Sequence, residues 1–546
     1  MLIAAPRTTR STPETRDPAP NRSWLLHPVV ASVLLAGSLE VLWAALLAGD
    51  GGDLAAQYAW TQFVGSHPGS PYDLSWYGGM HAVSYSVLTP YLMAWFGVRT
   101  TAVVAGVLSA AILARLMVRS GMGRPLLPSL CGAAGLSCDI ASGRVTFSIG
   151  VLFALAATLV VVEARRTHWG GAVGGGALAV LATMASPVDG LFLLVVAPAV
   201  WLTGRHGAAA ALAGGPVLVV GSTTLLFPFY GVQPYPPSEA LLVLFTALPL
   251  ALLAPRTWRA VRAGSWVYLL GTLLTLLIPS PVGSNVERLA LLFAAALLLA
   301  AARATRGRRA QALWLAFTVA LCWQIVIPVQ DLQSAAPAVS WTGFTVPLRT
   351  ELSRLGANRA RVEVVPTATH VESSALAPYL ELARGWNRQL DTTRNPLFYQ
   401  SVLTAADYHL WLRQWAVGYV VLPAAELDYA AVAEGRVVAA GQPWLRQVWS
   451  DPHWTVYRVT DAVPLVAAPA TVLRAGQSEM TVRLPAAGSV LVHVLWSPWL
   501  TVLSSSTGCL EQAGVWTRLR AATAGTFRIG SSYSPARAAP CRLPGT

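Results

Sequence analysis

Three aspartates, Asp50, Asp53 and Asp73, fall in one polar loop at residues 49–92, among many aromatic residues. A carboxylate at a lipid–water boundary, beside aromatic rings, is a place where an enzyme can hold a sugar and take a proton from its hydroxyl. Asp53 opens DLAAQYAW, which reads as a short interfacial helix with Gln57 and Trp60 on the face of Asp53. Aspartate is also a favoured helix cap, worth about 1 kcal/mol, and local sequence alone favours that role. Asp50, in AGDGG, reads as a turn residue. Trp76, Tyr77, His81 and Tyr85 follow in LSWYGGMHAVSY, where Gly78 and Gly79 permit close backbone approach. Such rings stack on sugar faces, but they also form the aromatic belt of any membrane protein.

A second set of residues suits phosphate. Arg288, in PVGSNVERLALLF, lies at the outer mouth of an apolar span, with Asn285 and Ser284 as nearby donors. A guanidinium matches a phosphate in a bidentate manner; an ion pair or snorkelling explains the same placement. Arg144, in SGRVTF, is a further phosphate candidate. Glu40 sits inside the first span, about 12 Å below its outer end at 1.5 Å per residue, and intramembrane acids are often functional. Further along, His370, Glu372, Arg384, Trp386, Arg388, Asp391, Asn395 and Tyr399 crowd into one loop-like stretch. That composition suits a polyol-binding surface or a lid over the membrane site, and somewhat better a structural polar network.

The elements that must position these residues follow from hydropathy. The chain of 546 residues is 54% hydrophobic and 12% charged, with mean hydropathy +0.52, too apolar for a soluble protein. Eleven spans are predicted: 24–48, 100–118, 125–140, 145–163, 170–186, 188–203, 208–227, 239–254, 264–279, 287–302 and 311–328. The piece 84–97 is too short to cross and reads as a helix in the outer interface. Every basic residue is arginine, and seventeen of the twenty before residue 330 fall on one side of these spans. Only Arg99, Arg144 and Arg288 fall on the other. The positive-inside rule makes the crowded side cytoplasmic, which places the N-terminus inside and the C-terminal part outside a bacterial plasma membrane. The net charge of +13 reflects this asymmetry; no basic tract has nucleic-acid-binding patterning.

The expected organisation is a disordered cytoplasmic tail (1–23), an α-helical polytopic membrane domain (24–329) carrying the external loop 49–99, an extracytoplasmic α/β domain (330–463) and a β-sandwich (464–546). Strands are predicted at 361–366, 418–422 and 454–459, and helices at 375–384 and 405–415. Cys509 and Cys541 are the two cysteines of the outer part; outside the cytoplasm they are expected to pair as a disulfide. No CxxC or HExxH motif competes for a metal. There is no P-loop, no GxGxxG in a βαβ unit and no lipase elbow.

An aspartate in the first external loop, followed by W-Y-G-G-x-x-x-x-x-Y-S-x-L-x-P from Trp76 to Pro90, resembles the GT-C superfamily of polytopic membrane glycosyltransferases. Within it, the chain is most similar to YfhO-like and "6-pyruvoyl-tetrahydropterin synthase-related" bacterial membrane proteins. The runs Ser142–Gly150, Ser186–Gly190 and Asn285–Arg288 share this likeness, and ARGWNRQLDTTRNPLFY resembles a run in actinobacterial relatives. The resemblance implies inverting transfer from a polyprenyl-phosphate sugar to an envelope glycan or glycolipid at the outer leaflet, with Asp53 as base. Many members carry adjacent acids in that loop, whereas Asp50 and Asp53 are three apart. Polyprenyl phosphate is a workable leaving group, so no cofactor is required, and a divalent cation is an optional addition. The rivals are a multi-pass transporter or flippase, which predicts internal repeats with broken helices, and a non-catalytic envelope assembly protein.

Overall fold

The computed structural model describes all residues except 1–23, 165–168, 336–340, 505–506, 534–540 and 542–546. The tail expected at 1–23 therefore lies outside the described residues. The chain forms two compact units. The first holds residues 1–48, 96–226 and 233–332, and the second 49–95, 227–232 and 333–546.

The first unit is helical. Apolar helices cover each of the eleven predicted spans among the described residues, with ends within a few residues of those expected. Seven are long and apolar enough to cross a membrane: Pro28–Leu47, Val98–Arg119, Val145–Glu163, His206–Leu226, Arg259–Leu277, Gly283–Ala304 and Gly307–Ser334. The other four, Leu126–Ala141, Trp169–Ala185, Pro187–Trp201 and Pro237–Leu253, are shorter. Leu46, Leu218, Leu225 and Leu315 project outward, with Leu225 82% exposed. Surface leucine on this scale is stable only against lipid, so this is the unit of a membrane protein. Its interior is built from small residues. Gly171 and Gly175 lie against Ala164 and Val161, where a side chain would collide, and this brings Trp169–Ala185 close to Val145–Glu163.

The second unit has an α/β part and a sandwich. The α/β sheet runs Glu381–Leu382, Arg361–Val364, Val417–Pro423, Trp454–Val459, Leu445–Ser450. The first three strands are parallel and the last two antiparallel. The helix Ala405–Gln414 matches expectation. The helix expected over 375–384 does not form: the helix is Val371–Leu376, and Glu381–Leu382 becomes an edge strand. Pro378 lacks the donor a continuing helix needs, and pairing with Arg361–Val362 captures the following residues. The sandwich has a four-stranded and a three-stranded sheet, both antiparallel. Met480, Val482 and Phe527 of one share a core with Val490, Val492 and Leu519 of the other. Cys509 and Cys541 are disulfide-bonded, with Cα atoms 5.4 Å apart.

The first loop was expected as an appendage of the membrane domain; residues 49–95 instead belong to the second unit. The helix Asp53–Ser66 and the hairpin of Tyr72–Asp73 with Met80–His81 are built into it. The Leu382 amide donates to the Ser75 carbonyl (2.7 Å), the Leu74 amide to Gln477 (2.7 Å) and the Leu495 amide to Gly78 (2.7 Å). One loop thus ties the α/β sheet to the sandwich. Of the expected interfacial piece 84–97, the helical part is Thr89–Phe96, ending in exposed Trp95 and Phe96.

Candidate functional site

Asp53 is the first residue of its helix. Gly52 occupies the cap position with φ 63° and no side-chain cap forms there, so the capping role open to Asp53 is not the one it fills. The turn before it is clamped on both sides. The Gly52 amide donates to the Thr369 carbonyl (2.8 Å) and the Trp386 indole donates to the Gly52 carbonyl (2.8 Å). Asp50 and Asp53, both partly exposed, therefore border a cluster made by residues 369–388.

At its centre His370 adopts a left-handed backbone (φ 56°), rare for a residue with a side chain. Its ring stacks on Trp386 at 3.6 Å, and its Nε2 donates to Asp428 at 3.2 Å. Arg388 forms a two-pronged pair with Asp428 (3.0 and 2.6 Å) and donates to Tyr399 (3.0 Å). Burial alone would raise the Asp428 pKa, but hydrogen bonds from His370 and Arg388 hold its carboxyl well below the usual range. Glu372 is buried and accepts from the Thr367 amide (3.2 Å) and hydroxyl (2.5 Å); burial pushes it up. The result is a preorganised His–carboxylate–Arg group beside the aspartate loop. Asp428 had no local sequence signal: it lies 58 residues from His370 in an unremarkable turn.

Arg384 and Asp391 are buried in a closed network, the structural reading of this stretch. Arg384 bonds Glu363 (2.8 Å) and Glu434 and lies 3.8 Å over the Phe398 ring. Asp391 accepts from Asn395 (2.9 Å) and Tyr399 (2.7 Å). Gln57, Trp60, Trp76 and Tyr77 are also core residues, each no more than 2% exposed. Trp60 meets Trp76 edge-on at 5.4 Å and stacks on half-buried Tyr85 at 5.9 Å. The expected sugar platform is thus the packing that anchors the loop. His81 is buried, with Nε2 2.9 Å from the Ser497 hydroxyl. Desolvation lowers its pKa to about 4, so it is neutral at pH 7. Asp73 accepts from the Ser75 amide (2.8 Å) and hydroxyl (2.7 Å), and burial pushes it up to about 7.

The first unit contains its own charged cluster at helix ends. Arg144 immediately precedes Val145–Glu163 and pairs with Asp331 (3.3 Å) and Asp139 (3.8 Å). Ser148 donates to Asp139 at 2.9 Å. Asp189, in the first turn of Pro187–Trp201, lies against Gly150, where any side chain would collide. It interacts electrostatically with Asp139 and Arg288. Arg288 opens Arg288–Ala304, one turn after Asn285, with its guanidinium 5.0 Å over the Phe147 ring. The phosphate candidates Arg144 and Arg288 are thus linked through two carboxylates, Asp139 and Asp189. Glu40 lies elsewhere in this unit: it accepts from Ser137 (3.1 Å) and packs on Gly106. Among the described residues no three His, Cys, Asp or Glu side chains are grouped to hold a metal ion.

Residues 467–545, essentially the sandwich, match the family model of a domain of unknown function (DUF8823). No curated protein matches the chain. Solved structures of the arabinofuranosyltransferase AftD from Mycobacteria are similar, at 15% identity and TM-score 0.47 over 86% of this chain and 41% of that one. A mutant form of the same protein gives 14% identity and TM-score 0.46 over 86% and 43%. This chain spans less than half the length of those it matches.

Proposed function

We propose that the protein is a membrane glycosyltransferase that moves a sugar from a polyprenyl-phosphate donor to an envelope glycan or glycolipid acceptor on the extracytoplasmic side. The observation that carries this reading is the Arg144–Asp139–Asp189–Arg288 cluster within an apolar helical bundle. Ionisable groups are costly in that setting and are kept where they handle charge. Two guanidiniums suit a lipid-linked phosphate. The sidedness is supported by the arginine asymmetry of the sequence and by the Cys509–Cys541 disulfide, a bond typical of oxidising compartments.

In the reaction, the acceptor hydroxyl oxygen attacks the anomeric carbon, and the bond from that carbon to the phosphate oxygen breaks. Polyprenyl phosphate leaves with the electron pair, its charge stabilised by Arg144 and Arg288. The hydroxyl proton passes to a carboxylate base: Asp189 interacts with Arg288 within the first unit, and Asp53 is the base that the sequence resemblance implies. The test uses full-length protein in lipid nanodiscs with radiolabelled polyprenyl-phosphate sugars and envelope glycolipids. Asp53→Asn is expected to lower kcat by roughly 10²–10⁴, and Arg288→Gln to weaken donor use by about tenfold or more, a loss on the order of 1.4 kcal/mol. Turnover that survives Asp53→Asn but not Asp189→Asn reassigns the base to Asp189. No transfer from any such donor overturns the reading.

A further inference from the structure

A cleft of about 790 Å³ opens in the second unit, within the size range of pockets that enclose a small ligand. It shares no residue with the His370–Asp428–Arg388 group. Its walls carry the rings of Trp415, Trp496, Trp516 and the 77%-exposed Tyr230. The same walls carry planar polar groups, Arg394, Gln414 and Gln512. A second hollow of about 400 Å³ shares Arg394, Gln414 and Trp415 with the first. The two hollows therefore adjoin at those three residues.

Arg394 is held there deliberately. Its Nη1 donates to the carbonyls of Tyr77 (2.9 Å) and Gly79 (2.8 Å). Those carbonyls are aimed by three successive left-handed residues, Tyr77 (φ 54°), Gly78 (68°) and Gly79 (118°). Tyr77 is strained in that conformation, and such strain collects where geometry must be exact enough to bind. Among the described residues no carboxylate lies within ion-pair distance of Arg394. Arg394 lines the cleft with two carboxamides, Gln414 and Gln512, that can both donate and accept.

We propose that this groove binds a stretch of saccharide chain. A pyranose or furanose ring offers an apolar face to a tryptophan and paired hydroxyls to a guanidinium or carboxamide. A lining that combines aromatic rings with planar donors suits a sugar unit. A polyprenyl tail has no polar group to offer Arg394, Gln414 or Gln512, whereas each sugar unit offers hydroxyls to them. The inference rests on the transferase reading only in naming the bound chain as the acceptor; binding itself is independent of turnover.

The experiment measures binding of full-length protein in nanodiscs to a printed array of bacterial-envelope oligosaccharides, with the tightest hit titrated by calorimetry. Dodecaprenyl phosphate and a random peptide library serve as the other arms. The expected result is saccharide binding that weakens about 5–10-fold in each of Tyr230→Ala and Gln512→Ala. Both side chains are exposed, so neither variant disturbs folding. Asp53→Asn is expected to bind as tightly as the parent. Binding to no saccharide, binding unchanged in both groove variants, or preference for the lipid or peptide arm overturns the proposal. Saccharide binding without transfer leaves this proposal standing and removes the transferase reading. Transfer with unaltered acceptor KM in both variants does the reverse.

Discussion

Arg384 shows how much of the second unit's stability depends on single charges. It is 4% exposed and bonds Glu363 and Glu434, with Asp391 at 4.0 Å. Burial pushes Glu363 and Glu434 upward, while the guanidinium pulls them back. Replacing Arg384 with Met would leave buried carboxyls without their cation, at about 3–5 kcal/mol; the urea midpoint of the second unit reads the loss. Asp73 acts in the opposite sense to an ordinary paired acid. Its folded value of about 7 lies above the usual 3.8 because burial disfavours the charged form. The native state therefore holds the proton more tightly than the unfolded chain, and stability is lost as pH rises from about 4 through 7. Glu381, also raised to about 7 by burial, adds to the same slope. Asp73→Asn keeps the acceptor for Ser75 and should flatten the fall in melting temperature across that window. An unchanged slope would show that Asp73 is ionised in the folded protein at low pH.

The elements differ in how far they were legible. A membrane helix announces itself by a continuous apolar run, so Val145–Glu163 and its neighbours stood close to their expected limits. The sandwich strands were legible by alternation, as in Glu479–Leu484 with its alternating burial. What failed were features decided by distant partners. Glu381–Leu382 is a strand only because Arg361–Val362 lies beside it. The aromatic loop looked like a ligand platform because residue type cannot tell a ring that meets sugar from one that meets Ser373 or Gly385, as Trp76 and Tyr77 do. At this scale Gly79 is decisive. Its φ of +118° and the Tyr72 ring beside it leave no room for a side chain. Gly79→Ala should cost at least about 2 kcal/mol and also abolish saccharide binding, because its carbonyl holds Arg394. Calorimetry of the variant against the parent reads both effects.

For the whole molecule, the apolar unit and the disulfide-bearing unit are stabilised by different physics. Lipid supports the first; covalent closure supports part of the second. The Cys509–Cys541 bond closes a loop of 32 residues, worth about 3–4 kcal/mol by chain entropy. Cys541→Ser should bring the protease sensitivity of the sandwich to lower urea, while the protection of the membrane helices stays as it was.

The loop that ties the α/β sheet to the sandwich also imposes a timetable on biosynthesis. The hydroxyls of Ser70 and Ser531 meet at 2.8 Å across 461 residues of chain. At about 5–20 residues per second, the ribosome reaches the second partner roughly 20–90 s after the first. For much of that interval, until residues 348–456 are made, Trp60, Trp76 and Tyr77 lack the core that they enter. The nascent protein must keep a sticky aromatic segment soluble at the membrane surface until its C-terminal third arrives, so any chaperone that assists this chain has its longest task at residues 49–95.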